Sequence, residues 1–217
     1  SIYQCLLTEG KVTGYEVAKQ TGISRSNAYN SLASMTEKGA AYLVEEASTR
    51  KYVPVPLNEF CKNRIRKLEE SGKWLQEHMP TEKAYVEGYI TIEGAENILN
   101  KIKNLLSQVD QRVYISCTRN YLLLLIRELD TLMEERKKVV IITDQPATFH
   151  NAKVYFGENR GMQIGIIADS KYVLTGEYGE GSMNTCLYSG QKNFVELYKT
   201  ALANEIKLLS IREENKD

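Results

Sequence analysis

Two capped helices joined by a short turn lie between Val12 and Gly39, and they constrain this chain more than any other stretch. Thr13-Gly14-Tyr15-Glu16 has the T-x-x-E spacing of a capping box, in which Thr13 caps a helix that Glu16 closes from inside. Val17 and Ala18 supply its apolar side, and Gly22 ends it with a residue that tolerates left-handed geometry. Ser24 then caps a second helix running to about Lys38, with Gly39 as its stop. Ala28, Leu32 and Met35 recur every three or four residues and face inward. Arg25, Ser26, Asn27 and Asn30 are left outward in the first turns, where a recognition helix presents side chains to base edges, and Thr13 and Ser24 at the two caps are expected at the DNA with them. A helical hairpin with a merely polar face has the same pattern. The residues after Gly39 separate the two.

Tyr42 to Glu46 and Lys51 to Val55 have strand character around a turn at Ala47-Ser48-Thr49-Arg50. A helix-turn-helix followed at once by a hairpin is the winged-helix arrangement, and Arg50 and Lys51 fall where a wing meets phosphate. Tyr29 is expected half-buried or against phosphate. Ile2, Leu6 and Leu7 read as the tail of a first helix whose fuller form would precede Ser1. Residues 1–56 hold six Lys or Arg and five Glu, so a double-stranded DNA operator would be held by placement of a few charges and by pairing of two copies.

Over all 217 residues, 28 Lys+Arg balance 28 Asp+Glu, which argues against a bulk polyanion binder. Four dispersed cysteines, Cys5, Cys61, Cys117 and Cys186, fit neither a zinc site nor a disulfide framework. A reducing cytoplasm is the expected compartment, with no cofactor and no metal. No apolar run reaches the roughly 18 residues of a membrane span. The leucine run over 122–126 is expected in a helix buried on most sides.

Pro54 and Pro56 close the wing, and residues 57–80 read as a helical segment that Pro80 terminates. Leu57, Cys61, Ile65, Leu68, Gly72, Leu75 and Met79 fall at alternating three- and four-residue steps, a seam suited to a homodimer. Packing of the same helix on its own domain is the alternative. From residue 81 strands and helices alternate, giving an α/β domain with a mixed sheet after the α+β front portion. The expected strands are 85–90, 112–117, 139–143, 154–156, 163–168, 171–175 and 185–189, with helices over 92–107, 121–136 and 191–210. Asp169-Ser170 forms the turn of a hairpin.

The run from Tyr15 to Pro56, with Ala18-Lys19, Ser24-Arg25-Ser26, Tyr29, Leu32, Glu37-Lys38-Gly39 and Lys51-Tyr52, resembles the TrmB family of transcriptional regulators. That resemblance implies a winged helix (1–56), a helical linker (57–80) and an effector-binding domain (81–217), in several members sugar-responsive. The second half resembles the family's phospholipase-D-like domain. Enzymes of that fold use H-x-K-x4-D, then a glycine after six residues; the histidine attacks phosphorus and the lysine binds its oxygens. Here Asp169 and Gly176 keep the spacing, while Met162 and Ile164 stand where histidine and lysine would be. His150 and Lys153 have the wrong spacing to replace them, Cys117 lacks an evident basic partner, and no catalytic residue is assigned.

A catalytically inactive pocket suits a sensor of a small polar effector such as a sugar. In open α/β sheets ligands collect beyond the carboxyl ends of strands. That rule selects Ser116, Thr118 and Arg119, then Asp144 and Gln145, then Glu177 and Tyr178. Two alternatives remain: a C-terminal domain that only dimerises, and a phosphodiesterase.

Overall fold

The computed structural model describes residues 1–46, 48–80, 88–145, 149–157, 160–180 and 183–214, with backbone alone at 213 and 214. The chain divides into two compact units, Ser1–Glu82 and Lys83–Asp217.

In the first unit, α1 (Ile2–Glu9) leads through β1 (Val12–Thr13) into α2 (Gly14–Thr21) and α3 (Arg25–Glu37). Strands β2 (Ala41–Glu46) and β3 (Thr49–Pro54) come next, then α4 (Leu57–His78). The anticipated caps form. Thr13 and Glu16 make the reciprocal box, Ser24 Oγ accepts from the Asn27 amide, and Gly22 ends α2 at φ 72°. Ala28 and Leu32 are fully buried with Leu6 and Val17, closing a small core among the three helices and the sheet. The antiparallel sheet has the order β1-β3-β2, so β1 widens the wing beyond the two expected strands. Ala47 of the expected turn lies outside the described residues.

No residue of α4 is buried. Leu57, Ile65, Leu68, Trp74, Leu75 and Met79 are all exposed, so the alternative of an apolar seam spent on the helix's own unit does not hold among the described residues.

The second unit is a seven-stranded sheet of order β4-β10-β9-β8-β5-β6-β7. Its elements are β4 (Tyr89–Glu93), α5 (Ala95–Ser107), β5 (Arg112–Ser116), α6 (Arg119–Leu122), α7 (Ile126–Glu134), β6 (Lys138–Thr143), β7 (Ala152–Phe156), β8 (Gln163–Ala168), β9 (Tyr172–Glu177), β10 (Thr185–Ser189) and α8 (Lys192–Glu214). Strands β5, β6 and β7 are parallel and the other pairings antiparallel, the mixed sheet that the alternation implies. Central strands are buried on both faces, which explains their near-continuous apolar sequence. Val139 and Ile141 face the core beneath α5 and α7, while Val140 and Ile142 face α8.

Two segments depart from expectation. The strand expected over 85–90 is β4, at Tyr89–Glu93, with Tyr85 to Glu87 outside the described residues. Ile92 belongs to this strand and not to the following helix: it pairs with Cys186, and Gly94 at φ 89° turns the chain into α5. The leucine run is not one buried helix. A 3₁₀ turn at Leu123–Leu125 interrupts it, leaving Leu122 and Leu125 inside while Leu123, Leu124 and Ile126 are exposed. Residues three apart superpose in a 3₁₀ turn, so a five-residue apolar run buries only one stripe.

Candidate nucleic-acid interface and ligand cavity

Helix α3 lacks a charged first turn beyond Arg25, and its outward residues Arg25, Ser26, Asn27 and Asn30 are all exposed. The Arg25 guanidinium lies 4.5 Å from the centroid of the Tyr15 ring, itself exposed, so α2 orients the first side chain of α3. Tyr29 is 42% exposed, and its ring lies over Gly14, where a Cβ would come within 2.5 Å of it. Glycine at 14 is therefore what lets α3 pack against the start of α2.

Thr13 and Ser24, also expected at the DNA, are engaged as the caps of α2 and α3. The Thr13 hydroxyl donates to Glu16 Oε2 at 2.9 Å and accepts from the Glu16 amide at 3.3 Å. The Thr13 amide also donates to Glu16, and these bonds hold the Glu16 carboxyl below the usual carboxylate range. Ser24 is committed to capping α3.

The wing cations are paired within the hairpin. Arg50 Nε donates to Glu45 at 3.2 Å and Lys51 Nζ to Glu46 at 3.0 Å. Lys11 also reaches Glu46, and hydrogen bonds from Lys11 and Lys51 hold that carboxyl below its ordinary value. Both wing pairs are solvated, and exposed pairs of this kind are worth only about 0–1 kcal/mol. A phosphate can exchange with them at small cost.

In the second unit the seven expected effector residues do not converge on one cavity. Ser116 and Glu177 line a cavity of about 410 Å³ between the sheet and α8, together with Arg160, Thr175, Tyr198 and Glu205. Arg119 opens onto another of about 400 Å³, with Asp130, Glu134 and His150. Thr118 and Gln145 line neither. Asp144 accepts the Arg119 amide at 2.8 Å, tying together the loops after β5 and β6. Tyr178 is buried, its ring edge-on to Tyr121 at 4.9 Å.

Arg160 organises the first cavity. Its Nη1 donates to Ser116 Oγ and its Nη2 to Glu205, with only 10% of the side chain exposed. Its buried Nε has no hydrogen-bond partner among the described residues. Gly157 leaves the space in which the guanidinium folds back, since a Cβ there would meet Nη2 at 2.8 Å. Gly165 does the same for Tyr198, whose hydroxyl would lie 1.8 Å from an added Cβ and accepts from Thr175 Oγ1 at 3.1 Å. Burial pushes the Tyr198 hydroxyl above its ordinary pKa, so it stays a neutral donor.

Sequence reasoning missed Arg160, Tyr198 and Glu205. Tyr198, Ala201, Leu202 and Glu205 follow the i, i+3, i+4, i+7 pattern of one helix face. Two polar residues on that otherwise apolar stripe were the available signal. Arg160 left none, because it comes from a polar loop.

The phospholipase-type motif positions are also placed. Asp169, at φ 50°, accepts the amides of Asp110, Gln111 and Arg112 at 2.7–2.9 Å. Partial burial alone would raise this carboxyl, but the three donors outweigh it and hold it below its ordinary value. Asp169 is thus a clasp for the start of β5. Ile164 is buried, and neither its side chain nor the Met162 thioether can attack phosphorus as the motif histidine does. Cys117 is fully buried, and desolvation pushes its thiol up to about 12, which keeps it protonated.

Residues 1–58 match the model of the family described as sugar-specific transcriptional regulator TrmB. The uncharacterized protein YrhO of Bacillus subtilis (strain 168) is 32% identical over 157 residues, covering 70% of this chain. The chain spans about half the length of that relative, 56% of it. Among solved structures, the archaeal chromatin protein TrmBL2 superposes with a TM-score of 0.50 at 18% identity, covering 94% of this chain and 90% of its own. NucT from Helicobacter pylori aligns with 55% of this chain and 97% of its own, at 16% identity and a TM-score of 0.45. The TrmBL2 likeness extends across both units, and the family match falls on the winged helix. Residues 1–58 thus carry a TrmB-type domain, and the likeness to TrmBL2 is one of fold.

Proposed function

We propose that the chain is an effector-responsive DNA-binding regulator, with α3 as its reading helix and the Arg160 cavity as its ligand site. The DNA half rests on the exposed Arg25, Ser26, Asn27 and Asn30 beside Tyr15. Solved TrmBL2 is described as binding DNA. Arg50 and Lys51 add backbone contacts once phosphate displaces their glutamates.

One observation carries the sensing half: the buried Arg160 Nε–H, without a partner among the described residues, inside a cavity lined by Ser116, Thr175, Glu177, Tyr198 and Glu205. A buried donor left unmade costs about 1–3 kcal/mol, so a ligand oxygen supplying the acceptor gains that amount. The carboxylates of Glu177 and Glu205 accept hydroxyl groups, and the remaining donors suit hydroxyl or carbonyl oxygens. A polyhydroxylated small molecule of the sugar class matches this mixture. Met162 and Ile164 support a binding role over phosphodiester hydrolysis. The exposed seam of α4 supports a homodimer, which would double the few DNA contacts of each winged helix.

The test is a thermal-shift screen of a sugar and polar-metabolite library against wild type and Arg160→Met. A matching ligand at a hundredfold excess over Kd should raise the wild-type Tm by about 5–10 °C. Absence of any stabilisation would leave the second unit as a dimerisation scaffold, and an equal response of Arg160→Met would take the ligand out of this cavity. Turnover of a generic phosphodiester would overturn the non-enzymatic reading.

A further inference from the structure

A separate cavity of about 380 Å³ lies between the other flank of α8 and the sheet, with a rim unlike that of the Arg160 site. Five cations surround it, Arg112, Lys138, Lys153, Lys199 and Lys207, and among the described residues no carboxylate lines it. In a chain with equal numbers of acidic and basic residues, this segregation is local and one-sided.

The sheet produces it by register. In the parallel pairing of β5 with β6, Arg112 is the partner of Lys138, and Tyr114 that of Val140, which in turn pairs with Lys153 of β7. Residues two apart on a strand share a face, so Arg112, Tyr114, Lys138 and Val140 all look toward α8. There Lys199 and Lys207 meet them from the helix. Like charges set side by side on one sheet face repel. Among the described residues no acid pairs with Arg112, Lys138 or Lys207. Glu196 reaches only Lys199, at 3.3 Å, Asp110 approaches Lys171, and the Asp169 carboxylate is spent on three backbone amides. The floor is apolar, made by Val140, Ile167, Leu202 and Ile206.

We propose that this cavity binds a small oxyanion with an apolar body, its phosphate or carboxylate held by the cationic rim and its hydrocarbon laid on the floor beneath α8. The volume is within the roughly 300–1,000 Å³ of small-molecule sites and too small for a duplex. The site shares only Leu202 with the Arg160 cavity and does not rest on that reading.

Isothermal titration of the full chain with octyl phosphate, octanoate, inorganic phosphate and octanol tests it. One of the two amphiphilic anions should bind at least about tenfold more tightly than either inorganic phosphate or octanol, and more weakly as salt rises. The octyl phosphate and octanoate arms identify which oxyanion the rim prefers. Lys138→Glu with Lys207→Glu, both exposed positions, should weaken binding by roughly a hundredfold, while Lys138→Arg with Lys207→Arg retains it. Arg160→Met should leave it unchanged. Octanol binding as tightly as the anions, no binding by any probe, or equal affinity in the double Glu variant would overturn the proposal.

Discussion

The guanidinium of Arg25, the first residue of α3, stacks 4.5 Å from the ring centroid of Tyr15 in α2. Arg25, the proposed reading arginine, is therefore pre-oriented by the supporting helix, and both partners remain exposed. A cation–π contact at such a site is worth about 0.5–1 kcal/mol. Tyr15→Ala should weaken operator binding by about two- to fivefold in fluorescence anisotropy while keeping sequence preference. Arg25→Ala should remove the preference itself. Unchanged footprints from Arg25→Ala would take α3 out of the groove.

Glu46 accepts from both Lys11 and Lys51. Glu46→Gln should release two cations at the wing, tighten binding to all DNA sequences alike, and steepen the salt dependence by about one to two counterions. Arg50→Ala with Lys51→Ala should flatten it. A slope insensitive to both changes would remove the wing from the interface.

Asp169 fastens the start of β5 through three amides, and its folded pKa lies below the ordinary aspartate value of 3.8. A depressed carboxyl contributes stability that is present above the unfolded pKa and lost as pH falls through the folded value. Wild type should lose stability on acidification below about pH 4, and Asp169→Asn should lack that increment. At neutral pH the substitution should cost about 1–3 kcal/mol in urea melts. Superimposable wild-type and variant stability curves across acid pH would refute the clasp.

Gly165 and Tyr198 are matched. Gly165→Ala places a methyl where the Tyr198 hydroxyl sits, at 1.8 Å, and should destabilise the second unit by about 1–3 kcal/mol. Tyr198→Phe removes that oxygen and should recover part of the loss in the double variant. A strictly additive double-mutant cycle would show that the two do not oppose each other.

Ile65 and Leu68 on α4 are 57% and 71% exposed. Ile65→Asp with Leu68→Asp should convert a dimer to a monomer in sedimentation velocity without lowering the melting temperature of the winged helix. A wild type that sediments as a monomer at the same concentration would leave the seam to another partner.

The winged helix was readable from local signals because each of its decisions is local. The Thr13–Glu16 box, the Ser24 cap and the two glycine stops act within four residues of themselves, and Ala28 and Leu32 follow helical period. The strands of the second unit were readable for a related reason, since apolar runs bounded by turns mark strands buried on both faces. The start of α5 was misjudged because Ile92 has an apolar side chain that either element accepts; its pairing with Cys186, far along the chain, decides the matter.

The candidate cavity was only half legible. Ser116 and Glu177 stand at strand ends, where a topological rule points to them, but Arg160, Tyr198 and Glu205 arrive from a loop and from a helix distant in sequence. Short-range propensity and periodicity thus settled most of the helices, strands and caps, with Ile92 and the leucine run as exceptions. Which side chains meet was settled by register and by the seating of α8 on the sheet. Electrostatic partnership depends on separation in space, and separation in space is a property of the folded chain that no local window contains.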